Sequence, residues 1–168
     1  MPTFAELARS SGARVHETTP ASAPELVRRI AREAGLADVR AAPSAAERFP
    51  AVAREFPAPP AGGPDARYLS VAASRMVVAD TGSVLLADPA GGSSPDLAEV
   101  CVCLVDVSSI VGTLDDTLRF LGEEAAAKRL PADPVLVTGP SRTGDIEHVL
   151  TVGVHGPKAL HLLLVSDA

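Results

Sequence analysis

The sequence PVLVTGPSRTGDIEHVLTVGVHGPKALHLLLV, at residues 134–165, contains three apolar runs that are separated by two polar turns. Each apolar run predicts a β-strand, and the strands cover residues 135–137, 149–154 and 160–165. The first strand is expected to be buried and to lead into a turn, residues 139–147, that is rich in hydroxyls and carboxylates. The second turn covers residues 153–157. Polar turns at the ends of core strands often bind ligands, so we expect the functional site here.

Length and composition place the chain among globular proteins. Its 168 residues suit one domain with a real core, and 46% of them are hydrophobic against 21% charged. The net charge of -6 and an aromatic share of 3% argue against binding a phosphate backbone or stacking on bases. No stretch approaches the roughly twenty apolar residues of a membrane span, and the N-terminus lacks the apolar segment of a signal peptide. We therefore expect a cytoplasmic protein that binds neither nucleic acid nor membrane.

The two cysteines, Cys101 and Cys103, cannot form a disulfide framework, which fits the same compartment. Side chains alternate along a strand, so both are expected on one face. An iron–sulfur cluster takes four protein ligands, and no spacing of His, Cys and acidic residues matches a zinc signature. We therefore expect two small buried apolar residues, and neither a metal nor a cofactor.

The first third of the chain has helical patterns. Residues 3–9 and 22–34 are predicted helices, and Ser22 and Glu25 have the spacing of a capping box at the start of the second. A short strand is predicted at residues 39–41.

A second capping-box spacing follows at Ser44 and Glu47, before Pro50 interrupts or restarts that helix. The sequence PAPPAGGP at residues 57–64 then breaks any regular structure. These features predict a helical N-terminal segment with a linker at residues 1–64, and an α/β domain at residues 65–168.

Strands are expected to dominate the second part. Residues 76–79 and 84–87 flank a predicted turn, and residues 100–107 are β-branched and apolar enough for a central strand. A helix is predicted after Ser109, with one apolar face made of Ile110, Leu114, Leu118, Leu121 and Ala125. A crossover from the central strand through this helix to residues 135–137 implies a parallel pair. The expected fold class is therefore α/β, with a mostly parallel sheet flanked by helices.

The turn Asp80-Thr81-Gly82-Ser83 matches the aspartic-protease signature. That chemistry requires two carboxylates that share a proton, and the chain has no second Asp-Thr-Gly. Two interpretations remain open. Asp80, Thr81 and Gly82 bind a ligand, or they form a tight turn in which Asp80 accepts backbone N–H bonds.

The turn that begins at Gly139 follows a strand and is predicted to open a helix, so its backbone N–H groups could face an anion. It is neither a Walker A loop nor a G-x-G-x-x-G loop. Alternatively, Ser141 or Thr143 only caps the helix, with two carboxylates complementing its dipole. Carboxylates crowded beside Arg142 and His148 are more than capping needs, which favours a site.

His155 lies on the second polar turn, where its ring could donate to a ligand, bind a metal or transfer a proton. A structural histidine bonded to a carbonyl group fits equally well. His148 and His161 lie in or beside apolar runs and are interpreted as core or edge residues.

Three motifs together resemble the LUD domain of the lactate-utilisation protein C family: ADTGS with the aliphatic residues after it, GPSRTGDIE and GVHGP, at 79–86, 139–147 and 153–157. The resemblance covers roughly residues 65–165. It implies a three-layer α/β/α fold similar to the group of ribose-5-phosphate isomerase, glucosamine-phosphate deaminase and CoA-transferase. The N-terminal segment is shorter and richer in proline than the helical region usual in such proteins, and Gly144 stands where alanine is common.

The same resemblance implies a component of a cytosolic system that oxidises L-lactate to pyruvate, in which partner subunits carry the iron–sulfur clusters. The chain would be a non-redox accessory or ligand-binding subunit, with a small anion as a possible ligand. The alternative is a stand-alone enzyme that acts on a phosphorylated sugar or an acyl thioester through Asp145 or Glu147. The candidate catalytic residues are Asp145, Glu147 and His155. The candidate ligand-binding residues are Asp80, Thr81, Gly82, Gly139, Ser141, Arg142 and Thr143. All of them are expected around one hollow.

Overall fold

The computed structural model describes residues 2–57, 67–88, 94–129, 133–144, 150–152 and 156–166. The strands in these ranges are β1 Arg14–Thr18, β2 Val39–Ala41, β3 Leu69–Ala73, β4 Met76–Val78, β5 Ser83–Leu86, β6 Val100–Asp106, β7 Ile110–Val111, β8 Val135–Val137, β9 Arg142–Gly144, β10 Leu150–Val152 and β11 Ala159–Val165. The helices are α1 Phe4–Ser10, α2 Ala23–Glu33, α3 Pro43–Arg48, α4 Pro50–Ala53 and α5 Leu114–Ala126. No helix of the described residues is long and apolar enough to cross a membrane.

A five-stranded parallel sheet forms the centre of the fold, in the order β1-β11-β6-β3-β2. The central strand β6 is buried at every position from Val100 to Val105. A parallel strand with both faces covered is expected to be a continuous apolar run, as this one is. The prediction of a central strand here is confirmed.

Helices α2, α3 and α4 cover one face of the sheet through a core that includes Val27, Ile30 and Val52. The other face packs against α1 and a second sheet, in a core that includes Phe4 and Val84. The result is the predicted three-layer α/β fold with a mostly parallel central sheet. Cys101 and Cys103 both point into the second core, as the alternation along β6 predicts.

The second sheet has four strands in the order β7-β4-β5-β8 and is mixed. Strands β4 and β5 form an antiparallel pair around the turn at residues 79–82, and β5 pairs antiparallel with β8. Strands β9 and β10 form a separate antiparallel pair. The second sheet thus places β5, which belongs to the first motif, beside β8, which leads into the second.

Two predictions about β8 are wrong. Strand β8 is not parallel to β6, because the chain leaves the central sheet after β6 and β8 joins the second sheet. Strand β8 is also not buried, since Val135 is 50% exposed and Leu136 is 38% exposed at the edge of that sheet. A short apolar run cannot tell a sheet edge from a sheet centre.

The predicted helix after Ser109 begins later than expected. Ile110 belongs to β7, and α5 starts at Leu114 behind the cap Thr113. Leu114 and Leu118, on the predicted apolar face, are 39% and 59% exposed. The helix contacts the second sheet instead through the buried Thr117.

The capping boxes also differ from the prediction. Ser22 makes no side-chain cap bond, and α3 is capped at Ala42, so Ser44 lies inside the first turn. Complete capping boxes are formed by Thr3 with Glu6 and by Thr113 with Asp116. Pro50 restarts the chain as the short helix α4.

The N-terminal segment contributes more than helices. Strands β1 and β2 form the two edges of the central sheet. Strand β1 was not predicted from the sequence, and neither was β3, which follows the segment. The boundary near residue 64 stays a prediction, because residues 58–66 lie outside the described part of the chain.

His161 is a buried, hydrogen-bonded residue of β11, as the interpretation of a core histidine expected. Its Nδ1 lies 3.1 Å from Nε2 of His16 on β1, and the two rings are parallel within 1°. One nitrogen must donate its proton to the lone pair of the other, which neutral rings can do. Burial, and then His16 and Arg14, lower the pKa of His161 to about 4.

This pair predicts a specific loss of stability in mild acid. The unfolded chain takes up a proton on His161 near pH 6.5 and the folded chain near pH 4, so the unfolded state binds more protons between these values. The free energy of unfolding should therefore fall by ~3 kcal/mol from this residue as pH decreases through that window. Urea unfolding of the wild type and of His161→Phe between pH 7 and pH 4 measures it. The variant should lose less stability than the wild type between pH 7 and pH 4. An equal loss in both proteins would contradict the lowered pKa of His161 as the cause.

Candidate functional site

The two motif-bearing turns meet at the ends of β5 and β8. In the antiparallel register, Val84 lies opposite Val137, so the residues that flank this pair are also neighbours. The hydroxyl oxygen of Ser83 lies 2.5 Å from that of Thr138. This hydrogen bond joins the Asp-Thr-Gly-Ser turn to the start of the turn at Gly139.

Helix α1 packs directly on both turns, and two glycines permit it. A Cβ atom on Gly82 would lie 2.5 Å from the backbone nitrogen of Ala8 and 2.7 Å from the carbonyl carbon of Leu7. A Cβ on Gly139 would overlap the carbonyl oxygen of Ser11. Both glycines also have positive φ, at +69° and +88°, which side chains disfavour. These two motif glycines are therefore required by the packing of α1.

The first polar turn also contacts the second. The N–H of Ser141 donates to the carbonyl oxygen of Pro157 at 3.0 Å. Gly156 has a φ of +136°, and a Cβ there would lie 3.2 Å from the Cβ of Ser141. The described residues of both turns are thus held together, and the Ser141 N–H is not available to an anion.

A cavity of about 710 Å³ opens beside these turns and will be called the strand-end cavity. Gly139, Ser141 and Gly156 contribute to one side of it. Its apolar wall consists of Leu86, Val135, Leu136, Val137 and Leu160. Three carboxylates also line it: Asp88, Asp96 and Asp133. The described lining contains no Lys, Arg or His, so the cavity is acidic in this part of the chain.

Asp88 is the buried carboxylate of the cavity and has a structural role. Its two oxygens accept from the Ser44 backbone N–H at 2.7 Å and from the Ser44 hydroxyl at 2.6 Å. The Ser44 hydroxyl oxygen in turn accepts from the N–H of Ala73 at 2.9 Å. The carboxylate thus connects the end of β5 to the first turn of α3 and, through Ser44, to β3.

Asp96 and Ser94 form another part of the cavity lining. The Ser94 hydroxyl donates to Asp96, and the Ser94 carbonyl oxygen accepts from the Tyr68 hydroxyl at 2.8 Å. The buried guanidinium of Arg40 lies 4.3 Å from the centre of the Tyr68 ring and is paired with Asp38. These contacts fix the position of this part of the lining.

The Cys101 thiol faces the cavity from β6 but is only 1% exposed. Burial, and then the carboxylates of Asp88 and Asp96, raise the pKa of Cys101 to about 12. A thiol, unlike a thiolate, is a poor nucleophile and a poor metal ligand at neutral pH. In the described residues, no group of three or more His, Cys, Asp or Glu side chains could hold a metal ion.

The predicted site residues fall into three groups. Gly139 and Ser141 line the cavity. Residues 80–82 belong to one of the joined turns but do not line the cavity. Asp80 is exposed, and its backbone N–H donates to the carbonyl oxygen of Gly112 at 3.1 Å. The Thr81 hydroxyl oxygen is buried with no hydrogen-bond partner in the described structure.

The remaining candidates lie at the end of the first polar turn and, for His155, on the second. Arg142 and Thr143 belong to β9, so the helix expected after Gly139 is wrong over the residues that the structure describes there. Asp145, Glu147 and His155 lie outside the described residues, and their catalytic roles stay predictions.

Sequence reasoning missed the acidic part of the cavity. Asp88 follows β5 and Asp133 precedes β8, and neither belongs to a predicted motif or a predicted site. The antiparallel pairing of β5 with β8, which ends at Leu86–Val135, brings the segments that carry these two carboxylates to the same cavity. That antiparallel pairing was the missing signal.

Comparison with known proteins identifies one family. The sequence profile described as LUD domain matches residues 69–165. Lactate utilization protein C 1 of Bacillus mycoides (strain KBAB4) is 34% identical over 102 residues, which cover 59% of this chain and 44% of that protein. Lactate utilization protein C of Bacillus subtilis (strain 168) is 34% identical over 97 residues, covering 56% and 40%. The chain thus matches less than half the length of these relatives.

A solved structure shares the fold over nearly the whole chain. The crystal structure of a DUF162 family protein from Deinococcus radiodurans has a TM-score of 0.62 and 17% sequence identity. The match covers 97% of this chain and 94% of that one, so it includes the N-terminal elements.

The packing of α1 predicts unequal effects of glycine substitution. Gly35→Ala should cost about 1 kcal/mol, because Gly35 has a φ of +66° but no atom near its missing Cβ. Gly82→Ala and Gly139→Ala should each cost about 3 kcal/mol or more, because steric overlap with α1 adds to the same backbone strain. Urea unfolding measures all three. Equal losses in the three variants would show that α1 does not constrain the turns.

Proposed function

Because the chain belongs to the LUD domain family, we propose that it is a non-redox component of a cytoplasmic system that oxidises L-lactate to pyruvate. The two Bacillus relatives are named lactate utilization protein C, and the family match covers the part of the chain that carries both polar turns. The partners would be subunits that carry iron–sulfur clusters.

The position of the two cysteines is the observation that carries the non-redox role. Cys101 and Cys103 are both buried in the central strand, and burial raises the pKa of each thiol. An iron–sulfur cluster takes four protein ligands, generally thiolates, and this chain has two cysteines. Electrons from lactate would therefore pass through other subunits.

The strand-end cavity is the proposed ligand site of this subunit. Gly139 and Ser141 belong to both the family motif and the cavity wall. A ligand would lie against the first polar turn, where the Ser141 N–H is already bonded to the carbonyl oxygen of Pro157. Binding there would couple ligand occupancy to the contact between the two turns.

Deletion of the protein in its source organism should abolish growth on L-lactate while growth on pyruvate continues, because pyruvate enters after the proposed step. Growth curves on each as the sole carbon source measure this. Complementation with a Cys101→Ala, Cys103→Ala double variant should restore growth if the chain carries no cluster, provided immunoblotting shows normal protein levels. Undiminished growth of the deletion strain on L-lactate would refute the proposal.

The second candidate is an enzyme that acts on a phosphorylated sugar or an acyl thioester through Asp145 or Glu147. The size of the cavity favours it, since about 710 Å³ lies within the range of sites for drug-sized ligands and far exceeds a three-carbon acid. Fold analogy alone is a weak basis for chemistry, so this alternative depends on the two carboxylates.

Complementation of the deletion strain with Glu147→Gln separates the two candidates. If Glu147 is catalytic, its loss should slow the catalysed step at least about a hundredfold, and growth on L-lactate should fail or become much slower. Glu123→Gln, an equal change at an exposed position of α5, is the matched control. Normal growth with Glu147→Gln, when deletion abolishes growth, would exclude catalysis by Glu147.

A further inference from the structure

The strand-end cavity is too large and too acidic for L-lactate alone. A water molecule takes up about 30 Å³ in the liquid, so a space of about 710 Å³ would hold roughly twenty waters. A three-carbon acid would leave most of that space filled with solvent. Affinity in such a pocket comes mainly from burying most of the ligand surface, which a small acid cannot do here.

Among the residues that the structure describes, no cation neutralises the carboxylates of the cavity. Asp88 is bonded to the neutral Ser44, and Asp96 accepts from the neutral Ser94. Asp133 is exposed and has no hydrogen-bond or ion-pair partner in the described structure. A carboxylate or phosphate placed beside Asp133 would therefore be repelled, whereas a donor group or a cation would be attracted.

The wall beside the carboxylates is apolar and partly open. Val135 is 50% exposed and Leu136 is 38% exposed, and both line the cavity. Leu86 and Leu160 complete an aliphatic surface in the same space. An apolar ligand body that covered this surface would gain roughly 25 cal/mol for each Å² removed from water.

We infer that the strand-end cavity binds a ligand with an apolar body and a polar end that is not anionic and donates hydrogen bonds to Asp133 and Asp96. The polar end is a set of hydroxyls, as in a nucleoside, or an ammonium group, as in an aromatic amine. The inference rests on the proposed function only in taking this cavity as the ligand site. It does not require that lactate be the ligand.

Two probes with the same body and opposite charge give a direct test. Tyramine carries an ammonium group, and 4-hydroxyphenylacetate carries a carboxylate on the same ring system. Adenosine tests whether hydroxyl groups can serve as the polar end, and L-lactate tests whether a small acid binds. Thermal unfolding of the full chain, with every compound at the same millimolar concentration, reports binding, because a ligand of the native state raises Tm.

Tyramine, adenosine or both should raise Tm, while 4-hydroxyphenylacetate and L-lactate should not. Asp133→Asn should weaken binding of the active probe roughly tenfold by calorimetry, because a hydrogen bond to a charged acceptor becomes a neutral one. Asp115→Asn makes the same change at an exposed position of α5 and should bind as the wild type does. If Asp133→Asn folds poorly by circular dichroism, Asp96→Asn takes its place.

Three results would overturn the inference. The first is that 4-hydroxyphenylacetate or L-lactate binds as tightly as tyramine and adenosine. The second is that neither tyramine nor adenosine binds. The third is that the Asp133→Asn variant binds the active probe with unchanged affinity. None of these depends on growth. A failed growth prediction would remove the lactate role and leave the ligand class standing, and a failed binding test would do the reverse.

Discussion

Contact between helix α1 and the two motif turns is the constraint on which the site depends. The backbone of α1 lies against Gly82, and that of its C-cap residue Ser11 lies against Gly139, at distances that no side chain would permit. Phe4 and Ala8 of the same helix belong to the core between the two sheets. Removal of α1 would therefore open that core and release both turns, and with them the wall that Gly139 contributes to the cavity. The glycines in the motifs are in this respect packing residues.

The acidic character of the cavity has two parts with different consequences. Asp88 is tied to Ser44 and so joins β5 to α3, which makes it part of the scaffold. Asp133 lies at the exposed end of β8 and contributes charge without a described structural bond. A buried carboxylate that accepts two hydrogen bonds is satisfied, whereas an exposed one without partners remains able to accept from a ligand. The chemistry of the cavity therefore depends mainly on the rim.

The sequence predicts the central sheet better than it predicts the site. Strand β6 is a continuous apolar run from Val100 to Val105, and β11 is apolar except for His161; such runs indicate strands of a parallel sheet that are covered on both sides. Strand β1 alternates Arg, Val, His, Glu and Thr, and its place at the sheet edge depends on pairing with β11. Strand β8 is as apolar as a core strand but lies at an edge. Periodicity reports local preference, and the choice of neighbour is decided by contacts far apart in the sequence.

The site shows the same limit more sharply. The motif turns were found because they interrupt apolar runs, and the structure brings Ser83 and Thr138 together as neighbours. Asp88 and Asp133 carry no local signal, since each lies in a loop of ordinary composition. Their proximity follows from antiparallel pairing of β5 with β8, whereas the sequence suggested a parallel crossover. The wrong prediction that β8 is parallel to β6 is therefore the reason that these carboxylates were not predicted as part of the site.

The N-terminal segment helps to build the site. The family match begins at residue 69, yet both edge strands of the central sheet, the helix that holds the motif glycines, and Ser44 come from residues before it. Residues 69–165 alone would retain only β3, β6 and β11 of the central sheet. Asp88 would then lose both hydrogen-bond donors that Ser44 supplies, and with them the contact that fixes the end of β5. A site defined only by the motifs would thus lack the contacts that hold the motifs in place.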